Sequence, residues 1–478
     1  MKVLHISTEC YPAAKAGGMG DVVGALPLYL PEQGVEASVI IPKYANAWIA
    51  VQSFETVYES SFDMAEEHII FRIQRLKKKK LGFPFYVVDI PGKFDRAQVY
   101  LANDGEGYRD EVQRNISFQR SVVNWLLSDQ HGFDILHCHD HMTGLIPFIL
   151  QHCPAASSLK DLPVFFTIHN GQYRGVMPWS NARFLPEYDG RKAGILDWDG
   201  AINCLAAALK SADRVSTVSP SYMKELQSDF DTLTSLARAM AEKSIGILNG
   251  IDAMVWDPKK DPLLYQLLKR SPGVFKSSNK KCLAAEHCFR HSKCLVSFIG
   301  RFAYEKGADL LPGAIRRYLK GDNSMQFFIL GSGDRSIEEA VLQLQKDFPD
   351  NVVSVIAYNE ALAHRIYAAS DFILMPSRFE PCGLNQMYAM RYGTVPVVRH
   401  TGGLIDTVPD IGNDGNGISF LRASEEDIIY SLGRIRELYG DAGEMKLLIS
   451  KIMSIDNSWT LSAKKYADEY QKTIKEKR

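Results

Sequence analysis

Residues 371–390 read DFILMPSRFEPCGLNQMYAM, which predicts a strand, a tight turn and a helix start in direct succession. The apolar run from Asp371 to Pro376 is typical of a short buried strand, and the apolar spacing from Gly383 to Met390 is typical of a buried helix. Glu380 lies in the turn between them. Ligands bind at the carboxyl ends of parallel strands, and the first amides of a helix favour electron-rich groups. The stretch therefore predicts an α/β fold with Glu380 at a functional position; the alternative is a buried glutamate that only caps the helix.

Outward from this stretch, apolar strands alternate with helix-length amphipathic segments in two series, which predicts two Rossmann-like α/β domains facing each other across a deep cleft. The first series has predicted strands at 3–7, 37–41, 85–90, 135–137, 164–168 and 215–218. The second has them at 295–300, 326–330, 352–356, 372–375 and 395–398. Between the series, residues 253–280 are polar and interrupted by prolines, so we predict a linker there.

The composition is that of an ordinary globular protein, with 478 residues of which 46% are hydrophobic and 23% charged. The formal net charge is -1, so the sequence predicts neither a nucleic-acid partner nor a membrane partner. A strand begins at the first residues, which leaves no space for a leader peptide, and no apolar run can span a bilayer. Eight cysteines without a framework spacing are typical of reduced thiols. We therefore expect a cytoplasmic protein.

Two loops at predicted strand ends carry cations beside glycines. The first contains Lys15, Gly17 and Gly18 and enters a helix, which favours phosphate binding, although its spacing is neither that of a P-loop nor that of a dinucleotide site. The second carries Arg301 and Lys306, which can hold a diphosphate and neutralise the charge that grows on it as a bond breaks. Two solvated surface cations are the alternative for the second loop.

The motifs together resemble those of bacterial glycogen synthases and plant starch synthases. They are Lys15-x-Gly-Gly, His139-Asp140, Thr167-Ile168-His169-Asn170, Asn249-Gly250, Arg301 with Lys306, Ser377 to Leu384, and Thr401-Gly402-Gly403-Leu404. They span nearly the whole chain in the order and at the separations of the family. These enzymes are retaining family 5 glycosyltransferases of the GT-B fold, and they transfer glucose from ADP-glucose, or in some lineages UDP-glucose, to the non-reducing end of an α-1,4-glucan.

The resemblance implies a division of labour between domains. Residues 1–247 would be the acceptor and catalytic domain, residues 248–458 the nucleotide-sugar-binding domain, and residues 459–478 a helix that crosses back to the first domain. The acceptor would be glycogen or a maltooligosaccharide. The resemblance implies no metal and no other cofactor.

The resemblance also implies site residues. Arg301 and Lys306 would clamp the diphosphate, His169 would lie beside the transferred glucose, Asp140 would bind a sugar hydroxyl, and Glu380 would hold the glucose and favour a cationic transition state. Tyr358 would stack on the nucleotide base. The implied substrate-binding residues are Lys15, Gly17, Gly18, Asn249, Tyr358, Cys382, Gly383, Leu384, Thr401 and Gly402. No pair of carboxylates stands out as in retaining glycosidases, and the resemblance implies same-face attack with the departing diphosphate as the base.

Two other interpretations compete with the resemblance. Residues 137–141 read HCHDH, and His137 and His139 share one face of a strand, so a metallohydrolase with His137, His139, Asp140 and His141 as ligands is one alternative. A non-catalytic protein that binds a glucan or a nucleotide sugar is the other. No second histidine–carboxylate cluster occurs near residues 167–170, and the candidate catalytic set is complete, so we favour the transferase.

The chain departs from the family at a few positions. Ala206 stands where many members have a lysine, and Ala16, Met19 and His141 replace the usual threonine, leucine and aromatic residue. Because three of these changes fall near the expected donor site, UDP-glucose stays open as a donor. ADP-glucose is the expectation.

Overall fold

A computed structural model of the chain describes residues 1–78, 80–102, 105–128, 132–228 and 230–478. The chain divides into two units: residues 1–250 with 459–478 form unit 1, and residues 251–458 form unit 2. Both units are α/β, which confirms the predicted fold class. Among the described residues, no helix is both long enough and apolar enough to cross a bilayer.

The strands of each unit follow in chain order. Those of unit 1 are β1 (Lys2–Ile6), β2 (Glu36–Pro42), β3 (Phe54–Met64), β4 (Glu67–Leu76), β5 (Phe85–Asp89), β6 (Ile135–His139), β7 (Val164–Ile168), β8 (Val176–Met177), β9 (Asp197–Trp198), β10 (Ala201–Asn203), β11 (Arg214–Thr217) and β12 (Ser244–Gly246). Those of unit 2 are β13 (Cys294–Ile299), β14 (Met325–Gly331), β15 (Val352–Ile356), β16 (Phe372–Met375), β17 (Val395–Arg399) and β18 (Ile418–Phe420).

The helices also follow in chain order. They are α1 (Gly18–Tyr29), α2 (Ala47–Ala50), α3 (Glu111–Leu126), α4 (Ile146–His152), α5 (Ala193–Leu196), α6 (Cys204–Ser211), α7 (Pro220–Ser228), α8 (Thr234–Ala239), α9 (Pro272–His287), α10 (Leu311–Gly321), α11 (Arg335–Asp347), α12 (Glu360–Ala369), α13 (Asn385–Arg391), α14 (Gly403–Thr407), α15 (Glu425–Gly440), α16 (Ala442–Ser454) and α17 (Trp459–Lys477).

The main sheet of unit 1 has the strand order β12-β11-β7-β6-β1-β2-β5-β4-β3 within the described residues. Strands β12 through β5 in that order pair in parallel, and β4 and β3 add an antiparallel edge. The central strands β1, β6 and β7 are almost fully buried, as expected for a parallel sheet covered on both faces. Because these three strands are neighbours and parallel, the residues that follow them meet at one edge of the sheet.

The sheet of unit 2 has the order β15-β14-β13-β16-β17-β18, and all its strands are parallel. The chain moves outward in one direction from β13 to β15 and then in the other from β16 to β18. The loops after β13 and β16 therefore flank the point where the strand order reverses, which is where open α/β sheets bind ligands.

The structure can be compared with the sequence analysis at the predicted linker and at the last helix. The predicted linker at 253–280 is wrong in its last part, because α9 already begins at Pro272 and the Ser271 side chain accepts a hydrogen bond from the Val274 amide at 3.4 Å. Proline fits the first turn of a helix, where its missing N–H costs nothing, so it marks a helix start here. The last helix, α17, packs on unit 1, where the buried side chains of Trp459 and Tyr466 join the cluster that contains Val3 and Phe165.

Candidate active site

Glu380 lies in the turn between β16 and α13 and is only 7% exposed. Lys306 Nζ donates hydrogen bonds to both of its carboxylate oxygens at 2.8 Å, and Ser377 Oγ donates to Oε2 at 3.0 Å. Helix α13 has Leu384 as its N-cap, without a side-chain cap, so the alternative of a helix-capping glutamate is wrong. The carboxylate is instead fixed between a cation and a hydroxyl, in charge-assisted hydrogen bonds.

The sheet brings Lys306 and Glu380 together, because β13 pairs directly with β16 and their following loops run side by side. The amides of Arg378 and Phe379 donate to the Glu305 carbonyl at 2.8 and 3.2 Å, which ties one loop to the other. The Arg378 guanidinium also makes a two-pronged ion pair with Asp309, at 2.6 and 2.8 Å. The ion pair between Lys306 and Glu380 is therefore built on two loops held together by their backbones.

The glycine turn after β17 supports the backbone of Glu380. Gly402 has φ +48°, and a Cβ built on it would lie 2.0 Å from the Glu380 carbonyl oxygen. The Gly403 amide donates to that same oxygen at 3.0 Å. Glycine is therefore required at position 402 both for its left-handed conformation and for this close approach.

We expect Gly402→Ala to lower kcat by about 10²-fold, because the added methyl group must displace the Glu380 turn by about 1 Å. The free energy of unfolding should fall by about 1–3 kcal/mol from the strained φ. Gly433→Ala is the matched control, because a Cβ at that position in α15 meets nothing within 4 Å. Steady-state kinetics and thermal melting measure both effects, and equal activity of the two variants would contradict this role of Gly402.

Arg301 and Lys306 form ion pairs with different carboxylates, those of Glu305 and Glu380. Arg301 is paired with Glu305 at 2.6 Å, and its side chain is 63% exposed. Lys306 is the more buried of the two cations, with a side chain 26% exposed. Their joint clamp on a diphosphate stays a prediction.

The other predicted residues of unit 2 surround this turn or follow β15. Cys382 and Thr401 are buried, Gly383 has φ +75°, and Leu384 precedes α13. Tyr358 follows β15 by two residues and is 79% exposed. Stacking on the base stays a prediction.

Asp140 directly follows β6 in unit 1 and has φ +57° and ψ 177°, a conformation that non-glycine residues rarely adopt. Its Oδ1 accepts hydrogen bonds from the amides of His169 and Asn170, at 2.7 and 3.4 Å. Burial raises the pKa of this carboxyl group to about 7. A buried carboxylate on a strained backbone is typical of a functional site, where surrounding structure holds the strain.

Two buried hydrogen-bonded rows of side chains, one of three histidines and one centred on a single histidine, lie beside Asp140. In the first row, His139 bonds His5 at 3.0 Å through Nε2 and His169 at 2.9 Å through Nδ1. In the second, His137 bonds the Tyr470 hydroxyl and the Thr167 hydroxyl, both at 2.6 Å. His169 thus reaches the sheet edge at the end of a row that begins in the core.

The nitrogens of His5, His137 and His139 lie within 4.8 Å of one another, which is close enough for a common metal ion. Both ring nitrogens of His137 and of His139 are already used in hydrogen bonds, and all three residues have no exposed surface. His141, the remaining histidine of the motif, is partly buried, and desolvation lowers its pKa to about 4. The metallohydrolase alternative therefore finds no support in this geometry.

The Lys15 loop is shaped by Glu9, which the sequence analysis did not single out. Glu9 is 2% exposed, and its Oε2 accepts hydrogen bonds from the amides of Ala16 at 2.6 Å and Gly17 at 2.8 Å. Tyr100 donates to the other oxygen at 2.6 Å. The position of Glu9 just after β1, at the ligand-binding edge of a parallel sheet, was the signal that could have identified it.

Four further positions of unit 1 were singled out in the sequence analysis. Lys15 Nζ contacts Asp21 Oδ1 at 2.7 Å, and Gly18 begins α1. Asn249 is 6% exposed, and its Oδ1 is buried without a hydrogen-bond partner among the described residues. Ala206 is fully buried in α6 and belongs to the packed interior.

Comparisons with known proteins agree with this geometry. The family model of the starch synthase catalytic domain matches residues 2–241, and that of glycosyl transferases group 1 matches residues 293–436. A glycogen synthase of Flavobacterium johnsoniae is 44% identical over 481 residues and covers 100% of both chains. A glycogen synthase of Geobacillus thermodenitrificans is 35% identical, over 99% of this chain and 98% of its own. The catalytic domain of starch synthase IV from Arabidopsis thaliana, solved bound to ADP and acarbose, has a TM-score of 0.87 at 32% identity over 99% of both chains.

Proposed function

Because the chain belongs to the starch and glycogen synthase family of glycosyltransferases, we propose that it extends an α-1,4-glucan with glucose taken from ADP-glucose, with retention of anomeric configuration. The Arabidopsis relative was solved with ADP and acarbose, and its similarity over nearly the full length supports an adenine nucleotide as donor here. Glycogen or a maltooligosaccharide is the proposed acceptor. We also propose the cytoplasm as its compartment, because all eight cysteines are free thiols; cell fractionation tests this.

The observation that carries the proposal is the ion pair between Lys306 and Glu380 at the point where the strand order of unit 2 reverses. A fixed cation beside a fixed carboxylate suits a reaction in which opposite charges develop on neighbouring atoms. Lys306, together with Arg301, would stabilise negative charge on the departing diphosphate, while Glu380 would stabilise positive charge at the anomeric carbon. This arrangement needs no side chain to act as the nucleophile.

The proposed reaction breaks one bond and forms another at the same atom, the anomeric carbon of the transferred glucose. The bond from the anomeric carbon to the diphosphate oxygen breaks, and the acceptor hydroxyl oxygen bonds to that carbon from the same face. The acceptor proton moves to the departing diphosphate, which leaves as ADP. The protein would contribute positioning and charge stabilisation, which can supply most of a barrier reduction when the groups are preorganised.

We also propose a role for each candidate residue at the sheet edge of unit 1. Asp140 would accept a hydrogen bond from a glucose hydroxyl, and His169 would lie beside the same sugar. Lys15, with Gly17 and Gly18, would contact the donor's phosphates. The strained backbone and raised pKa of Asp140 support its part in this proposal.

We expect labelled glucose to enter glycogen from ADP-glucose at least about tenfold faster than from UDP-glucose, and at an unchanged rate in EDTA. The tenfold ratio corresponds to about 1.4 kcal/mol of preference in the transition state. Scintillation counting of precipitated glycogen, with each donor and with and without the chelator, measures both.

The outcomes of this assay separate the alternatives. Faster transfer from UDP-glucose would replace the proposed donor and keep the proposed reaction. Incorporation abolished by EDTA would overturn the metal-independent mechanism. Hydrolysis of either donor without transfer to glycogen would overturn the proposed acceptor.

A further inference from the structure

Three imidazoles form a continuous hydrogen-bonded row through unit 1. His5 lies on β1, His139 ends β6 and His169 follows β7, so the row crosses three adjacent strands. The contacts run from His5 Nδ1 to His139 Nε2 at 3.0 Å, and from His139 Nδ1 to His169 Nε2 at 2.9 Å. His5 and His139 have no exposed surface, while His169 is 8% exposed.

All three rings are neutral near neutral pH. Burial lowers the pKa of His5 and of His169 to about 3, and it lowers the pKa of His139 well below its ordinary value. A neutral imidazole carries one proton, so each ring donates through one nitrogen and accepts through the other. The tautomers of the three rings are consequently coupled, and only two arrangements satisfy both hydrogen bonds.

The far end of the row decides between these arrangements. His5 Nε2 is buried and has no hydrogen-bond partner among the described residues. If it carried the proton, a buried N–H would be left without an acceptor, which folded proteins avoid more strictly than an unused lone pair. The proton of His5 therefore belongs on Nδ1. Because His139 Nε2 and His169 Nε2 then accept the hydrogen bonds of the row, the protons of these two rings also lie on Nδ1.

We propose that His5 and His139 are positioning residues that hold His169 in the tautomer with its proton on Nδ1. This nitrogen is the one that the row leaves unused, since His169 Nε2 accepts from His139. His169 then presents a single fixed N–H donor at the edge of the sheet beside Asp140. The hydrogen bond on one ring nitrogen thus selects what the other ring nitrogen offers.

The consequence for the reaction rests on the proposed function. A donor on His169 suits an oxygen atom of the transferred glucose or of the departing diphosphate, whereas Asp140 offers acceptors to the sugar hydroxyls. A fixed tautomer means that no fraction of the enzyme presents a lone pair to an oxygen that needs a proton donor. Releasing the tautomer should therefore lower kcat and leave KM for the nucleotide sugar nearly unchanged.

The test replaces His5, which does not touch His169. His5→Asp places a carboxylate, which only accepts hydrogen bonds, against His139 Nε2 and should reverse both hydrogen bonds of the row, whereas His5→Asn can place an amide N–H where Nδ1 was. His68→Leu is the control, since His68 is an exposed histidine paired with Asp63. Each variant is labelled with ¹⁵N-histidine, and long-range ¹H–¹⁵N correlation reads which nitrogen of His169 is protonated, with His169→Gln used to assign its signals.

We expect Nδ1-protonated His169 in the wild type, in His5→Asn and in His68→Leu, and Nε2-protonated His169 in His5→Asp with kcat lower by about three- to tenfold. A His169 protonated on Nε2 in the wild type would overturn the proposal. So would a lower kcat in His5→Asp with its His169 tautomer unchanged, which would indicate a packing role only. If the wild type transfers no glucose, the proposed function fails, and the tautomer measurement still decides the role of the row.

Discussion

Lys306→Met is expected to lower kcat by about 10²- to 10³-fold, which is the usual effect of removing one preorganised charge-stabilising group. Methionine keeps most of the length of the side chain and removes the cation that contacts both oxygens of Glu380. KM for the donor should change less than kcat if the cation acts mainly on the charge of the transition state. Steady-state glucose transfer with saturating glycogen measures both constants.

Glu380→Gln should lower kcat to a similar extent, because the amide keeps the shape of the carboxylate and loses its charge. The double variant is expected to be little worse than either single variant, since the two side chains act as one unit. Arg335→Met is the control, because Arg335 is 90% exposed and pairs with Glu339 on α11. Near wild-type turnover in Lys306→Met with an intact fold would remove Lys306 from the catalytic set.

Asp140→Asn is expected to lower transfer by about 10²-fold and, at about pH 8, to raise the melting temperature of unit 1 by about 3 °C or more. The amide keeps the Oδ1 acceptor for the His169 amide. It removes a negative charge that burial disfavours. A gain in stability with a loss of activity is typical of groups kept for function rather than for folding.

The stability gain of Asp140→Asn should depend on pH in one direction. The pKa of Asp140 is raised from about 3.8 to about 7 in the folded chain, so the folded state holds its proton more tightly than the unfolded state. The stabilisation from that proton is fully present below about pH 3.8 and is lost as the pH rises through about 7. The advantage of the variant should therefore grow between these values and then level off.

The control for this pH dependence is Asp199→Asn. Asp199 also has a positive φ, +57°, and lies exposed in unit 1, so its substitution separates burial of the carboxylate from backbone conformation. Calorimetric scans at several pH values compare both variants with the wild type. A melting-temperature difference for Asp140→Asn that stays constant across this range would contradict burial as the cause.

Local pattern was sufficient for the eleven strands that were predicted, and it missed β3, β4, β8, β9, β10, β12 and β18. The predicted strands at 164–168, 352–356 and 372–375 coincide with β7, β15 and β16, because runs of branched and aromatic residues between turn residues have few alternative structures. Local pattern failed where one residue type occurs in two structural contexts. Pro272 begins a helix, whereas the sequence analysis assigned it to a linker. The family resemblance, and with it the glycosyltransferase class, also came from the sequence and is confirmed by the full-length relatives.

By itself, the sequence determined the chain order of the eleven predicted strands, the class of fold, the family, and which loops carry cations, glycines and carboxylates. Only the tertiary structure decided which of these side chains meet. Lys306 and Glu380 are 74 residues apart, and His5 and His139 are 134 apart, yet each pair is in hydrogen-bond contact. The reason is that strand order in a parallel sheet is set by how all the strands and helices pack together, whereas residue pattern reports only on neighbours along the chain.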